Sequence, residues 1–278
     1  MPLKIEFMGE ALGTFLLVFF GCGSVCTAVT TGALVGVFQV AIVWGLGIAT
    51  AIYLTGGLSG AHLNPAVTIS LAVYRRFPLG KIVPYILAQM LGAFLASAIL
   101  FLIFSSAIAS FEKGHGIIRG QTGSEASAMV FGEYFPNPGG KPLTDDARTI
   151  MPHLQAFTAE VIGTGVLLLV ILGVTDPRNV NFPRMLTAPT IGLTITILIC
   201  ILGPLTMACF NPARDLAPRI FSALAGWGSV PFSTNGMGWL TVYCIAPVVG
   251  GLGGGLVYNL CLARSFAGYP QEKIDLPK

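Results

Sequence analysis

GAHLNPAVT at residues 60–68 and NPARD at residues 211–215 place one Asn-Pro-Ala triplet in each half of the 278-residue chain. Asn is a favoured capping residue at the start of a helix, and Pro is favoured at the first helical position. Each triplet therefore predicts a helix that begins just after Asn64 or Asn211. An ordinary turn is the usual explanation of a single Asn-Pro pair, but two pairs at matching places favour two helix starts.

Both predicted helices are too short to cross a bilayer. The first runs to about Arg75-Arg76, and the second contains Arg214, Asp215 and Arg219. About ten residues at ~1.5 Å per residue reach ~15 Å, half of a ~30 Å hydrocarbon core. Two half-helices that enter from opposite sides would meet N-terminus to N-terminus at the midplane, where their positive dipole ends would repel cations and protons.

Irregular backbone at the midplane is tolerated only where it is buried or lines a watery cavity. We therefore expect the segments before the triplets to turn carbonyl oxygens toward a pore, and Asn64 and Asn211 to offer side-chain N–H groups at its centre. The expected carbonyl residues are Gly60, Ala61, His62 and Leu63 in the first half, and Met207, Cys209 and Phe210 with their neighbours in the second.

A second motif repeats in the same order. Glu10-Ala-Leu-Gly-Thr opens the first predicted membrane span, and Glu160-Val-Ile-Gly-Thr opens the fourth. Three spans in each half would give the halves opposite orientations, as inverted repeats. Carboxylates inside a membrane suggest function by default, for example a proton relay. The symmetric placement favours the other explanation, in which Glu10 and Glu160 accept N–H bonds from the re-entrant loops.

The composition indicates a polytopic membrane protein. Hydrophobic residues make up 54% of the chain and charged residues 10%, against about 25% charged residues in ordinary domains. Six Cys without paired spacing exclude a disulfide-built miniprotein, and a net charge of +3 gives no sign of a nucleic-acid partner. The stretches without any Asp, Glu, Lys or Arg are 11–74, 82–111, 185–213 and 220–263.

A crossing needs about 20 apolar residues, so the chain predicts an all-α membrane protein with six transmembrane helices and two re-entrant half-helices. Thr30-Thr31-Gly32 is expected to separate the first two spans, and Thr55-Gly56-Gly57 to end the second. The predicted spans lie near 7–27, 36–55, 83–106, 154–175, 187–204 and 239–263. Together they form one channel domain over 1–278, with repeat 1 at 5–110, an external loop at 111–153, repeat 2 at 154–264 and a tail at 265–278.

The basic residues predict the orientation. Nine of the fifteen Lys and Arg fall on one side: Lys4, Arg75, Arg76, Lys81, Arg178, Arg184, Arg264, Lys273 and Lys278. The positive-inside rule then places both termini in the cytoplasm, and we expect a multi-pass protein of the plasma membrane. The long polar loop at 107–153 is expected to form an ordered external cap; a floppy connector is the alternative.

These two loops and their spacing resemble those of the aquaporins, or major intrinsic proteins, over roughly residues 5–264. The resemblance implies a homotetramer in the lipid bilayer, with one pore per subunit and passive flow of small neutral solutes such as glycerol and water, without a cofactor. Asp215 directly after Arg214, the basic Arg219 and Pro247-Val248 are similar to the glycerol-facilitator branch. Asp215 could pair with a nearby cation and hold the external loop away from the pore.

The resemblance also implies a selectivity filter of Trp44, Ile199, Ala208 and Arg214. Trp44 would give an apolar wall, and Arg214 several N–H donors and the only fixed charge. That pairing suits a polyol, which has a hydrocarbon edge and a hydroxylated edge. Glycerol facilitators place Gly at the Ile199 position and Phe at the Ala208 position, so this set looks more like the plant nodulin-type members. It admits water, urea or neutral metalloid acids as alternatives.

Two other function classes stay open. An ion-coupled secondary transporter shares inverted repeats and broken helices, but the predicted pore has no ionisable pair beyond Arg214. A membrane enzyme would need a nucleophile or a metal cluster, and no such spacing occurs, so neither catalytic nor metal-binding residues are expected. A lone His62 in an apolar setting favours loop packing, and Cys209 favours a packed small side chain.

Overall fold

The computed structural model describes residues 1–267. The rest of the predicted tail, with Lys273 and Lys278, lies outside the described residues. The described part is helical and contains no strand. Its helices are α1 Leu3–Thr31, α2 Val37–Ser59, α3 Pro65–Tyr74, α4 Ile82–Gly114, α5 Glu125–Ala128, α6 Asp145–Ile150, α7 His153–Val174, α8 Thr187–Thr206, α9 Pro212–Ser222, α10 Val230–Ser233 and α11 Gly238–Phe266, the last broken by π-helical turns.

The prediction of six membrane spans is confirmed within the described residues. The helices long and apolar enough to cross a bilayer are α1, α2, α4, α7, α8 and α11. Helix α1 ends at Thr31, where Gly32 adopts a left-handed φ of 71°, as the predicted break requires. The expected end of α2 at Thr55-Gly56-Gly57 is wrong. The helix continues to Ser59 and ends where Gly60 turns left-handed with φ 86°, because glycine weakens a helix by only about 1 kcal/mol.

The two triplets begin short helices. Asn64 caps α3, its side-chain oxygen accepting a hydrogen bond from the Ala66 N–H at 2.8 Å. Asn211 caps α9 in the same way, accepting from Ala213 N–H at 3.1 Å and from Arg214 N–H at 3.3 Å. With ten and eleven residues, α3 and α9 are half-helices, as the sequence predicted.

The two halves pack in the same pattern. Helix α1 packs against α2 and α4, and α7 packs correspondingly against α8 and α11. Each half-helix lies against the last span of the opposite half, α3 on α11 and α9 on α4, while α2 and α8 join the halves directly. Glycine makes these contacts close: a Cβ on Gly92 would lie 2.1 Å from Ala11 O, and one on Gly250 would lie 2.2 Å from Val161 O.

The segment between α4 and α7, residues 115–152, folds into a cap, and this cap is shorter than the predicted loop because α4 continues to Gly114. Phe131 and Tyr134 of the cap are fully buried. The indole N–H of Trp227 donates to Ser127 Oγ at 2.9 Å, and Arg119 pairs with Glu112 at 2.8 Å. These contacts fit an ordered cap rather than a floppy connector.

Asp176 joins three elements at the end of α7. Its buried carboxylate pairs with Arg75 at the end of α3 at 3.2 Å and with Arg178 at 2.8 Å. It also accepts a hydrogen bond from the Tyr258 hydroxyl of α11. The hydrogen bond from Arg178 holds the pKa of Asp176 well below its ordinary value, so this carboxylate is ionised at neutral pH and ties a half-helix to the spans around it.

Gly163→Ala is expected to destabilise the protein. A Cβ there would lie 2.1 Å from the ring of Phe210 in the second re-entrant loop, and overpacking of this kind costs about 1–3 kcal/mol. The matched control is Gly253→Ala, since a Cβ there meets nothing within 4 Å. Thermal unfolding in detergent should show a lower midpoint for Gly163→Ala alone. Equal midpoints for the two variants would contradict the close contact.

Candidate functional site

Two cavities meet between the halves of the molecule. The first has a volume of about 290 Å³, and the second, of about 470 Å³, opens beside the cap. The residues that line both are Trp44, Glu133, Ile199, Met207 and Arg214. We refer to these five residues, together with Ala208 of the first cavity, as the ring. It marks the constriction between the two cavities.

Every residue that the sequence placed along a pore lines the first cavity. These residues are Trp44, Gly60, Ala61, His62, Leu63, Asn64, Ile199, Met207, Ala208, Cys209, Phe210, Asn211 and Arg214. Glu10 and Glu160 do not line it and lie fully buried behind the two loops. The geometry therefore separates a cavity wall from the groups that support it.

The two asparagines reach across to each other's loop. Asn64 Nδ2 donates to the Phe210 carbonyl at 2.8 Å, and Asn211 Nδ2 donates to the Leu63 carbonyl at 2.8 Å. An amide group has two N–H donors, so each Asn keeps one for the cavity. The Leu63 and Phe210 carbonyls are thus already engaged by protein donors. No described residue donates to the carbonyls of the other predicted positions, which leaves these free to face the cavity.

The loop backbone is held in a sparsely populated conformation. Ala61 and Leu63 have φ of 49° and 53°, and Met207, Ala208 and Phe210 have φ of 65°, 60° and 53°. Non-glycine residues in this left-handed region are uncommon and persist only where the surroundings enforce them. With Gly60 at φ 86°, the two loops share the same pattern of positive φ.

Glu10 supports the first loop. Its Oε1 accepts from the Ser59 hydroxyl at 2.7 Å and from the His62 N–H at 2.8 Å. Its Oε2 accepts from the Leu63 N–H at 2.7 Å and from Gln89 Nε2 at 2.7 Å. All four groups donate to one carboxylate. Glu10 thus supplies hydrogen-bond acceptors to loop N–H groups that are not part of a helix.

Glu160 has the equivalent place in the second half. It accepts from the Thr206 hydroxyl at 2.6 Å, from the Cys209 N–H at 3.1 Å and from the Phe210 N–H at 2.8 Å.

The His62 and Cys209 side chains make local contacts within their loops. In the first loop, the His62 imidazole bonds to Thr68 Oγ1 at 3.2 Å and packs against two aromatic rings. In the second, the Cys209 thiol contacts the Asn211 carbonyl at 3.2 Å.

Arg214 is fixed at the ring by several groups. Its Nη1 donates to the Phe131 carbonyl of the cap at 2.8 Å and lies 3.4 Å from Cys22 Sγ. The guanidinium carbon is 4.5 Å from the centre of the Trp44 ring. Gly21 leaves room for that indole, because a Cβ there would lie 2.2 Å from it. The flat apolar wall and the N–H donors are thus adjacent.

Sequence reasoning missed Glu133, which also lies at the ring. Arg214 Nε contacts Glu133 Oε1 at 2.8 Å, and both side chains are at most 3% exposed. The sequence had suggested that Arg214 is the only charged residue at the ring. The contact with Glu133 shows that this expectation is wrong. Burial raises the pKa of the Glu133 carboxyl above its ordinary value, and the contact with the Arg214 charge opposes this rise and favours the ionised form. The available signal was a lone acidic residue within the otherwise uncharged segment 126–140.

The expected role of Asp215 needs a correction. It does pair with a cation, since Arg219 donates to both of its carboxylate oxygens at 2.8 Å. However, its Oδ1 also accepts from the Glu133 N–H at 2.7 Å. Asp215 therefore draws the cap onto α9 instead of holding the external loop away, because the buried Glu133 N–H needs an acceptor.

Comparisons with known proteins agree with this geometry. The family model described as major intrinsic protein matches residues 2–258. The glycerol uptake facilitator protein of Escherichia coli (strain K12) is 41% identical over 265 residues, covering 94% of this chain and 89% of that protein. The propanediol uptake facilitator of Salmonella typhimurium is 37% identical over 265 residues, 95% and 96% of the two chains. The X-ray structure of the aquaglyceroporin from Plasmodium falciparum superposes with a TM-score of 0.80 at 30% identity, over 95% and 99% of the chains.

Six apolar spans and two half-helices around a cavity define a multi-pass membrane protein with a central passage. The chain belongs to the major intrinsic protein family.

Glu160→Ala is expected to reduce the yield and thermal stability of folded protein. The change removes the acceptor of the buried Cys209 and Phe210 N–H groups, at about 1–3 kcal/mol per unsatisfied group. Ile162→Ala is the control, as an exposed side chain on the same helix. Fluorescence-detected size exclusion after a heating step compares the two variants. If Glu160→Ala folds normally and loses only a pH-dependent flux, a proton-relay role is favoured instead.

Proposed function

We propose that this protein is a passive transmembrane channel for small neutral solutes, most of all glycerol and similar polyols, with some water. The observation that carries the proposal is the ring, where the face of Trp44 and the donors of Arg214 lie side by side between two cavities. The relatives named as glycerol uptake facilitators support the same solute class. No catalytic role is proposed for any residue.

The cavity wall suits a molecule that is apolar on one edge and hydroxylated on the other. Small-molecule sites combine apolar surface with a few placed polar groups. Here Trp44, Ile199 and neighbouring aliphatic side chains give the apolar surface. Arg214, the free amide N–H groups of Asn64 and Asn211, and the unengaged loop carbonyls give donors and acceptors along the passage. We propose these as the filter and the pore path, with Glu10 and Glu160 as loop supports.

Water, urea or neutral metalloid acids are the alternative solutes. The observation that favours them is the ring itself, in which Ala208 brings no aromatic side chain and Ile199 brings a branched one. Trp44 is then the only aromatic corner. A polyol would therefore contact apolar surface on fewer sides than in a ring with two aromatic residues. A smaller or flatter solute would lose fewer apolar contacts than a polyol.

The assembly and topology are also proposed. Large apolar side chains are exposed along the spans, as lipid or a neighbouring subunit would require; they include Leu46, Leu102, Ile162, Ile201, Val249 and Leu256. We propose a homotetramer in the plasma (cell inner) membrane, with both termini cytoplasmic by the distribution of Lys and Arg. The division into repeat 1 (5–110), external loop (111–153) and repeat 2 (154–264) stays a prediction, supported by the matched packing of α1 and α7.

Proteoliposome swelling tests the channel class. Vesicles with purified protein should swell in a glycerol gradient, and a protonophore should leave the rate unchanged, because no ion gradient drives the flux. Empty vesicles are the control, and a panel with water, urea and larger polyols ranks the solutes. Loss of flux on collapse of the proton gradient would instead support a coupled transporter that uses the Arg214–Glu133 pair.

Substitutions at the ring test the placement of the filter. Ala208→Phe should narrow the passage beside Ile199 and cut glycerol flux while sparing water. Ile199→Gly should admit bulkier solutes, and the double variant should recover glycerol flux. Contacting residues couple in this way by about 0.5–3 kcal/mol, so stopped-flow rates for all four proteins form the measurement. Strictly additive effects would mean that Ile199 and Ala208 do not face each other.

A further inference from the structure

The ring contains one positive and one negative side chain in direct contact. Arg214 comes from the first turn of α9, and Glu133 comes from the cap. Their Nε and Oε1 atoms are 2.8 Å apart, and both residues line both cavities. The second carboxylate oxygen, Oε2, is buried and has no nitrogen or oxygen donor among the described residues. The carboxylate therefore has Arg214 as its one cationic partner.

The charges around the constriction cancel. Arg214 is balanced by Glu133 at the ring, and Arg219 is balanced by Asp215 behind it at 2.8 Å. All four side chains are buried. The backbone binds the two pairs into one unit, because the Glu133 N–H donates to Asp215 and the Glu133 carbonyl accepts from Arg219. The constriction thus has no net side-chain charge when Glu133 is ionised.

We propose that Glu133 is a specificity-determining residue that keeps the constriction electrically neutral by balancing Arg214, so that neither cations nor anions are attracted into it. The inference rests on the proposed channel function and extends it to the exclusion of ions. A cleft lined by one sign of charge concentrates the opposite ion by about 10-fold or more. Either member of the pair, left alone, would therefore become a site of attraction for ions.

Substitution of Arg214 and substitution of Glu133 should cause leaks of oppositely charged ions. Arg214→Ala leaves Glu133 without its counter-charge, and it should admit cations at a pH high enough to ionise the carboxyl, about pH 10. Glu133→Gln leaves the guanidinium beside the positive ends of two half-helices and should admit anions. The double variant Arg214→Ala/Glu133→Gln removes both charges and should exclude both kinds of ion again. A purely positive filter predicts the reverse for the last protein, which would leak cations as much as Arg214→Ala does.

Ion flux in proteoliposomes measures these outcomes. Potassium and nitrate fluxes are recorded for the four proteins, together with glycerol swelling. At about pH 10 we expect about a 10-fold or larger rise in potassium flux for Arg214→Ala and in nitrate flux for Glu133→Gln, and fluxes near the unmodified protein for the double variant. Potassium leakage in the double variant equal to that of Arg214→Ala, or no rise in nitrate flux for Glu133→Gln, would overturn the proposal.

A second ion pair in the same region supplies matched controls. Arg119 of the cap and Glu112 of α4 are 2.8 Å apart, and neither residue lines the two cavities. Arg119→Ala and Glu112→Gln change the same charges and should alter neither ion flux. If they leak as the ring variants do, the defect comes from a loosened cap, and the proposal fails.

A pH series identifies the group responsible for the cation leak. The titratable or charged groups that face the Glu133 carboxyl are Arg214, Asp215, Cys209, Glu160, Cys22 and Tyr243. Without Arg214 the pKa of Glu133 should rise further, because burial is no longer opposed. The potassium leak of Arg214→Ala should then be larger at about pH 10 than at about pH 6. A leak that does not change with pH would contradict the assignment to Glu133.

If the unmodified protein passes no glycerol, the proposed function fails whatever the ions do. If glycerol passes and the ion fluxes do not follow the charge pattern, only the neutral-pair inference fails. Glu133→Gln keeps nearly the same side-chain size and retains Arg214, so its nitrate flux still decides the question where Arg214→Ala does not fold.

Discussion

The structure depends on the hydrogen bonds that satisfy two stretches of non-helical backbone in the middle of a membrane protein. Buried polar backbone groups without partners are costly in apolar surroundings. Here Glu10 and Glu160 accept from the loop N–H groups. The Asn64 and Asn211 amides cross over to the opposite loop. Each loop thus accepts a hydrogen bond from the asparagine of the other half, and residues of both halves line the first cavity.

The features that depend on local chemistry could be predicted from the sequence. The half-helices follow from Asn and Pro, whose capping and backbone preferences act within a few residues. The spans follow from the stretches without charge. The end of α2 was misplaced because glycine only weakens a helix, and what stops this one is the turn at Gly60. The supports at Glu10 and Glu160 were predictable because the motif occurs twice.

The features that depend on the path of the cap could not be predicted in the same way. Glu133 reaches Arg214 from a segment without periodicity, and nothing in the surrounding sequence indicates where that segment runs. Asp215 shows the same limit: pairing with Arg219 one turn along α9 is local, whereas acceptance from the Glu133 N–H is not. A connection between spans thus supplies the Phe131 carbonyl and the Glu133 carboxylate to the ring, as loops on rigid scaffolds often do.

The neutral ring that we propose, with its donors and acceptors, would give a physical basis for passing polyols while excluding ions. A small ion loses tens of kcal/mol of hydration in apolar surroundings, and a constriction without net charge returns little of this. A polyol loses only hydrogen bonds to water, and the Arg214 donors, the asparagine amides and the free loop carbonyls can replace them. On the proposed path, Trp44 would accommodate the carbon edge. Exclusion of both kinds of ion then comes from desolvation, and the two positive helix ends add repulsion for cations. The balanced side-chain charges can still orient hydroxyl groups.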